Sequence, residues 1–117
     1  MPARETDSFF PHPTIWKTTA ELVNFDFEFT DDIPASDSIK AIGPNSATAA
    51  VAYDEDGNTA SNTLIFSTVV TGTKVRVKLT GGTDGSNYTV VATAEMTTSG
   101  EKPQQALKVK VRAVPTI

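Results

Sequence analysis

Residues 74–111 read KVRVKLTGGTDGSNYTVVATAEMTTSGEKPQQALKVKV, and this stretch decides the fold. Val75, Val77 and Leu79 alternate with Lys74, Arg76 and Lys78. Tyr88, Val90, Ala92, Ala94 and Met96 alternate with Thr89, Val91, Thr93 and Glu95. Leu107, Val109 and Val111 alternate with Lys108, Lys110 and Arg112. Successive side chains on a strand point to opposite faces, so each run has one apolar face and one polar face. Gly81, Gly82, Gly85, Asn87, Gly100 and Pro103 lie between the runs and carry turn chemistry. The expectation is three antiparallel strands in succession, the back half of a β-sandwich, with residues 81–85 as a hairpin loop.

Working back toward the N-terminus, LVNFDFEF at residues 22–29 alternates equally cleanly, with Val23, Phe25, Phe27 and Phe29 on one face. Residues 38–42, 47–53 and 63–70 read as three further strands. They are separated by Gly43-Pro44, by the DEDGN turn at 54–58 and, before Lys74, by Thr71-Gly72-Thr73. No helical period of useful length occurs. About seven short strands at regular spacing predict an all-β, immunoglobulin-like or fibronectin-like sandwich over residues 22–117. Tyr88 opens a strand after a Gly-rich loop. That is where such sandwiches tie a tyrosine hydroxyl to the loop backbone, which gives Tyr88, Gly81, Gly82 and Gly85 a structural role.

Residues 1–21 differ from the rest. They hold three prolines, the adjacent Phe9 and Phe10, and the chain's only tryptophan, Trp16. This segment reads as an extended arm. Phe9, Phe10, Ile15 and Trp16 are costly to leave in water, so they are the residues expected to bind a partner.

The chain has 117 residues, enough for one core, and a net charge of −4. That sign argues against a nucleic-acid backbone as partner. With no cysteine there is no disulfide, thiolate nucleophile or zinc–thiolate site. No apolar run approaches the ~20 residues of a membrane span, and the N-terminus lacks the apolar core of a secretory signal.

Catalytic and metal constellations fail one by one. His12, the only histidine, sits between two prolines, a poor frame for a general base. Asp54, Glu55, Asp56 and Asn58 resemble the start of a calcium loop, but the twelfth position is Ile65 where a bidentate glutamate is required. Asp26, Glu28, Asp31, Asp32 and Asp37 form an acidic set without an aromatic cleft around it, so a polar outer face is its simplest reading. Gly81–Gly85 lacks the lysine and helix of a phosphate loop. The cations at 74, 76, 78 and at 108, 110, 112 form two basic stripes, suited to solvent or to acidic residues of a partner subunit. No enzymatic activity and no cofactor are expected.

Two blocks carry a resemblance. The first is Phe25-Asp26-Phe27, then Ile33, then Asp37-Ser38-Ile39. The second is Val75–Leu79, Thr80-Gly81-Gly82-Thr83-Asp84-Gly85, Tyr88-Thr89-Val90, Thr97-Thr98-Ser99-Gly100-Glu101 and Val109-Lys110-Val111. Over roughly residues 25–111 the chain resembles small virion proteins of tailed bacteriophages, the fibre–tail adaptors with an immunoglobulin-like sandwich. Ser36 departs from the family pattern, standing where a glycine is common. The resemblance implies a structural, non-enzymatic virion protein, made in the host cytoplasm and built into the particle. It would act as a tail or fibre adaptor that docks neighbouring virion proteins, and would form a homo-oligomer. Alternatives are a capsid decoration protein of the same fold or a carbohydrate-binding adhesion module, for which Tyr53 and Trp16 are the candidate aromatics.

Overall fold

The computed structural model describes residues 13–113. Seven strands form two sheets: β1 (Thr14–Thr18), β2 (Val23–Glu28), β3 (Ala49–Tyr53), β4 (Ile65–Thr71), β5 (Lys74–Leu79), β6 (Asn87–Thr93) and β7 (Gln104–Arg112). A single helical turn, α1 (Ser61–Leu64), precedes β4, and a 3-10 turn spans Thr30–Asp32. One sheet has the order β1-β7-β6-β3 and the other β2-β5-β4. Leaving β1 aside, these are the two sheet orders of an immunoglobulin constant-type sandwich without its first strand. β1 joins the larger sheet by pairing parallel with β7, Thr14 to Lys108 through Thr18 to Arg112.

The sandwich fold stands as the alternation indicates, but the strand succession needs correction. β5 and β6 do not pair. β5 lies between β2 and β4, while β6 pairs antiparallel with β7. The segment at residues 80–86 therefore crosses from one sheet to the other and is not a hairpin loop. Residues 38–42 keep only one bridge, Ile39 to Met96. In ASDSIKAIG, Ile39 is the one apolar residue that turns inward, too little to hold a strand. The fourth strand begins at Ile65, because α1 takes up residues 61–64 first. Thr14–Thr18, within the segment read as an arm, supplies the seventh strand.

The apolar faces meet in one core. The smaller sheet contributes Phe27, Val75, Val77 and Leu79; the larger contributes Val90, Ala92, Leu107, Val109 and Val111. All are essentially inaccessible to water. Phe25 stacks edge-on to Phe27, with ring centroids 4.9 Å apart, and extends the core toward one end. Leu64 from α1 and Phe29 after β2 fill the gap between the sheets. Burying each such side chain contributes on the order of 1.5–3 kcal/mol, and this is what holds a chain without disulfides.

Candidate docking surfaces

The crossing at residues 80–86 is fixed from both sides. The Thr83 N–H donates to the Tyr88 hydroxyl at 3.0 Å, with the Tyr88 ring buried in the core. Gly81 has φ +55°, and a Cβ there would lie 2.7 Å from the Thr63 carbonyl oxygen. Gly82 has φ +95°, and a Cβ there would lie 2.8 Å from a Val111 methyl. Only glycine suits both the backbone angle and the close approach. Gly85 also has a positive φ, but with open space around it. Lys17 completes this corner. Alternation along β1 turns Ile15 and Lys17 inward, and the Lys17 ammonium donates to the Gly81 carbonyl at 2.6 Å and the Thr18 carbonyl at 2.7 Å. Burial pushes its pKa below the usual lysine value, with Glu21 and Tyr88 opposing. Nothing in the sequence analysis marked Lys17. The available signal was its place two residues after Ile15 in an alternating run.

A second clasp joins the two blocks of the resemblance. The Asp37 carboxylate accepts backbone N–H groups from Ser38 (2.8 Å), Thr98 (2.9 Å) and Ser99 (3.0 Å). These bonds, the one from Thr98 foremost, hold its pKa down to about 2. The Thr97 N–H donates to the Ser38 carbonyl beside it. Ser36 has φ +63°, the only non-glycine among the described residues with a positive φ. A left-handed backbone is where glycine is favoured, so Ser36 holds a conformation that suits glycine better.

The two basic stripes lie on opposite outer faces of the sandwich. On the β5 face, Asp26 sits opposite Arg76 and Glu28 opposite Lys74. Arg76 grips Asp26 with Nε at 2.7 Å and Nη2 at 3.1 Å, and Lys74 Nζ is 4.0 Å away. The bond from Arg76 pulls the Asp26 pKa down and raises that of the guanidinium. Glu28 accepts the hydroxyls of Thr30 and Thr73, which lower its pKa. Lys78 lies over the Phe66 ring at 5.8 Å.

The β7 face is different. Thr14, Trp16 and Thr18 stand opposite Lys108, Lys110 and Arg112. Trp16 is 61% exposed. Lys110 Nζ and the Arg112 guanidinium approach its ring centroid at 5.1 and 5.0 Å. Such contacts each contribute roughly 0.5–1 kcal/mol at an exposed site and hold the indole in place. Arg112 donates to the carbonyls of Val111 and Ser86 and to the Asn87 side chain, so it is fixed by neutral acceptors. Among the described residues none of these three cations has an ion-pair partner.

Of the four partner-binding residues expected from the sequence, Ile15 packs against this chain's own core and Trp16 faces outward. Phe9 and Phe10 lie outside the described residues, as does His12. The acidic turn at 54–58 lines a polar cleft of about 340 Å³ together with Thr83, Ser86 and Tyr88. Asp54 Oδ1 is occupied by its own turn, accepting the N–H groups of Asp56 and Asn58 at 2.9 Å. Among the described residues no group of three acidic or histidine side chains is arranged to hold a metal ion.

The site is thus an immunoglobulin-like sandwich with two loop clasps, an exposed tryptophan and a basic stripe that has no ion pair among the described residues. The family description of podophage GP4 fiber-tail adaptor protein gp77 matches residues 17–110, and the chain belongs to that family. The match spans the region from β1 into β7, and with it the protein takes its place among the structural proteins of phage tails. No curated protein and no solved structure matches the chain.

Proposed function

We propose that the chain is a non-enzymatic adaptor that docks neighbouring tail and fibre proteins in the virion, working in several copies. The observation that carries this reading is the family match over the sandwich, combined with the face whose cations have no carboxylate partner among the described residues. The partner surface that suits it presents carboxylates to Lys108, Lys110 and Arg112 and an apolar pocket to Trp16. Phe9 and Phe10 in the preceding segment extend this contact, while Ile15 seats the strand from beneath. Among the described residues no helix is long and apolar enough to cross a membrane.

The test uses tails assembled in the absence of this protein. Purified full-length chain and a chain lacking residues 1–12 are each added, and binding is followed by sedimentation. The shorter chain keeps β1, so its sandwich remains complete. The expected result is saturable binding of the full chain and weakened binding of the shorter one. Absence of binding by the full, folded chain contradicts the adaptor reading.

A further inference from the structure

Four strands stand at the sheet edges, and three of them are protected. β1 carries Lys17 pointing inward. β2 carries Asp26 and Glu28 on its outer face. The open side of β3 is covered by the chain that follows it: Thr59 bridges Tyr53, the Ala60 N–H donates to the Ala52 carbonyl at 2.7 Å, and the Ala52 N–H donates to Ser61 Oγ at 3.0 Å. Inward charges, outer charges and covering segments are the usual means of keeping sheet edges from pairing with other chains.

β4 reads IFSTVVT. It has no charge and no proline, and no segment among the described residues covers it. A bulge falls at Phe66, but pairing with β5 is regular from Ser67 to Thr71. The β4–β5 loop has two residues, with Gly72 at φ +61°, and Thr71 and Lys74 close it. In a hairpin of this kind the closing pair exchanges both hydrogen bonds, and bonded pairs then recur at every second residue. Thr71, Val69 and Ser67 therefore turn their backbone groups toward β5, and Thr68 and Val70 turn theirs outward. None of the described residues pairs with that outward row. Phe66 is 65% exposed and Val69 48% exposed, both on the outer face beside it.

We propose that β4 docks against β4 of a second copy, antiparallel about a two-fold axis, to form one continuous sheet across two chains. The choice of occupant rests on charge. A two-fold contact sets the same patch against itself. Pairing β2 with itself brings carboxylates together, and pairing β1 with itself leaves its lysines beneath the joint. Pairing β4 with itself opposes only Phe, Val, Thr and Ser, and sequesters Phe66 and Val69. This edge lies apart from the Trp16 face, so the contact stands or falls separately from the adaptor reading.

The test measures mass in solution and amide exchange on the full chain over a concentration series. The expected result is a monomer–dimer equilibrium in which the Thr68 and Val70 amides become protected as dimer forms. Val69→Lys places like charges in facing rows of an exposed position, and is expected to weaken association by about ten-fold or more with the fold intact. Phe66→Lys provides a second variant outside the core. A chain that stays monomeric, or a dimer in which Thr68 and Val70 exchange as fast as in the monomer, overturns the proposal. So does undiminished association in both folded variants.

Discussion

β5 and β7 carry the same pattern, three cations alternating with three buried aliphatic residues, yet the cations meet different surroundings. Arg76 and Lys74 face carboxylates on β2, the next strand in the sheet. Lys110 and Arg112 face a tryptophan and a row of uncharged residues. Alternation decides which way a side chain points, and the neighbouring strand decides what it meets. Two cations of the first stripe are paired across the sheet, while the second stripe has no ion pair among the described residues.

The largest expected effects should not distinguish the two strands at all. Leu79→Ala beneath the β5 stripe and Leu107→Ala beneath the β7 stripe should each cost about 2–5 kcal/mol in denaturant unfolding, because both side chains are fully buried. A large inequality would mean that one sheet is held by something other than the shared core. Tyr88→Phe should cost about 1 kcal/mol by freeing the Thr83 N–H, loosening the crossing from β5 to β6. Ser36→Gly should stabilise by about 0.5–1 kcal/mol, since glycine relieves the left-handed backbone at some cost in unfolded-chain entropy.

The finest effects separate the stripes. Asp26→Asn should lower stability slightly, and less so in high salt, since the Arg76 pair is partly exposed. Lys110→Gln should leave stability nearly unchanged, with only its contact to Trp16 lost. Acid provides another handle. Asp37 has its pKa held at about 2, below the roughly 3.9 of an unfolded aspartate, so its contribution is full above the unfolded value. That contribution is lost as pH falls from about 4 toward about 2. Asp37→Asn should flatten this part of a plot of unfolding midpoint against pH; an unchanged slope would show that the clasp to Thr98 and Ser99 does not hold in solution.

Much of the fold was legible because most strands alternate strictly. The runs at residues 23–29, 74–79, 88–92 and 107–111 announce both their extent and their buried face. What the sequence does not encode locally is pairing. Residues 80–86 have the glycines of a hairpin, and the crossing between sheets is set by contacts to Thr63 and Val111, both remote in sequence, together with the nearby Tyr88 hydroxyl. β1 was hidden for a different reason. TIWKT has a lysine on its inward face and follows prolines, so it reads as an arm until β7 supplies its partner. Of the candidate site, Trp16 was legible as a residue too large and apolar to leave unexplained. The basic stripe at 108, 110 and 112 was legible too, but its place beside Trp16 was not, because the parallel pairing of β1 with β7 joins opposite ends of the chain.

The most direct measurement compares the two stripes in binding. Affinity for tails assembled without this protein is measured for the wild-type chain, for Trp16→Ala and Lys110→Gln on the β7 face, and for Lys74→Gln on the β5 face. Both β7-face variants should bind more weakly, Lys110→Gln with a reduced dependence on salt, while Lys74→Gln binds like wild type. Equal binding by all four folded chains, or a loss confined to Lys74→Gln, would contradict the assignment of the Trp16 face as the docking surface.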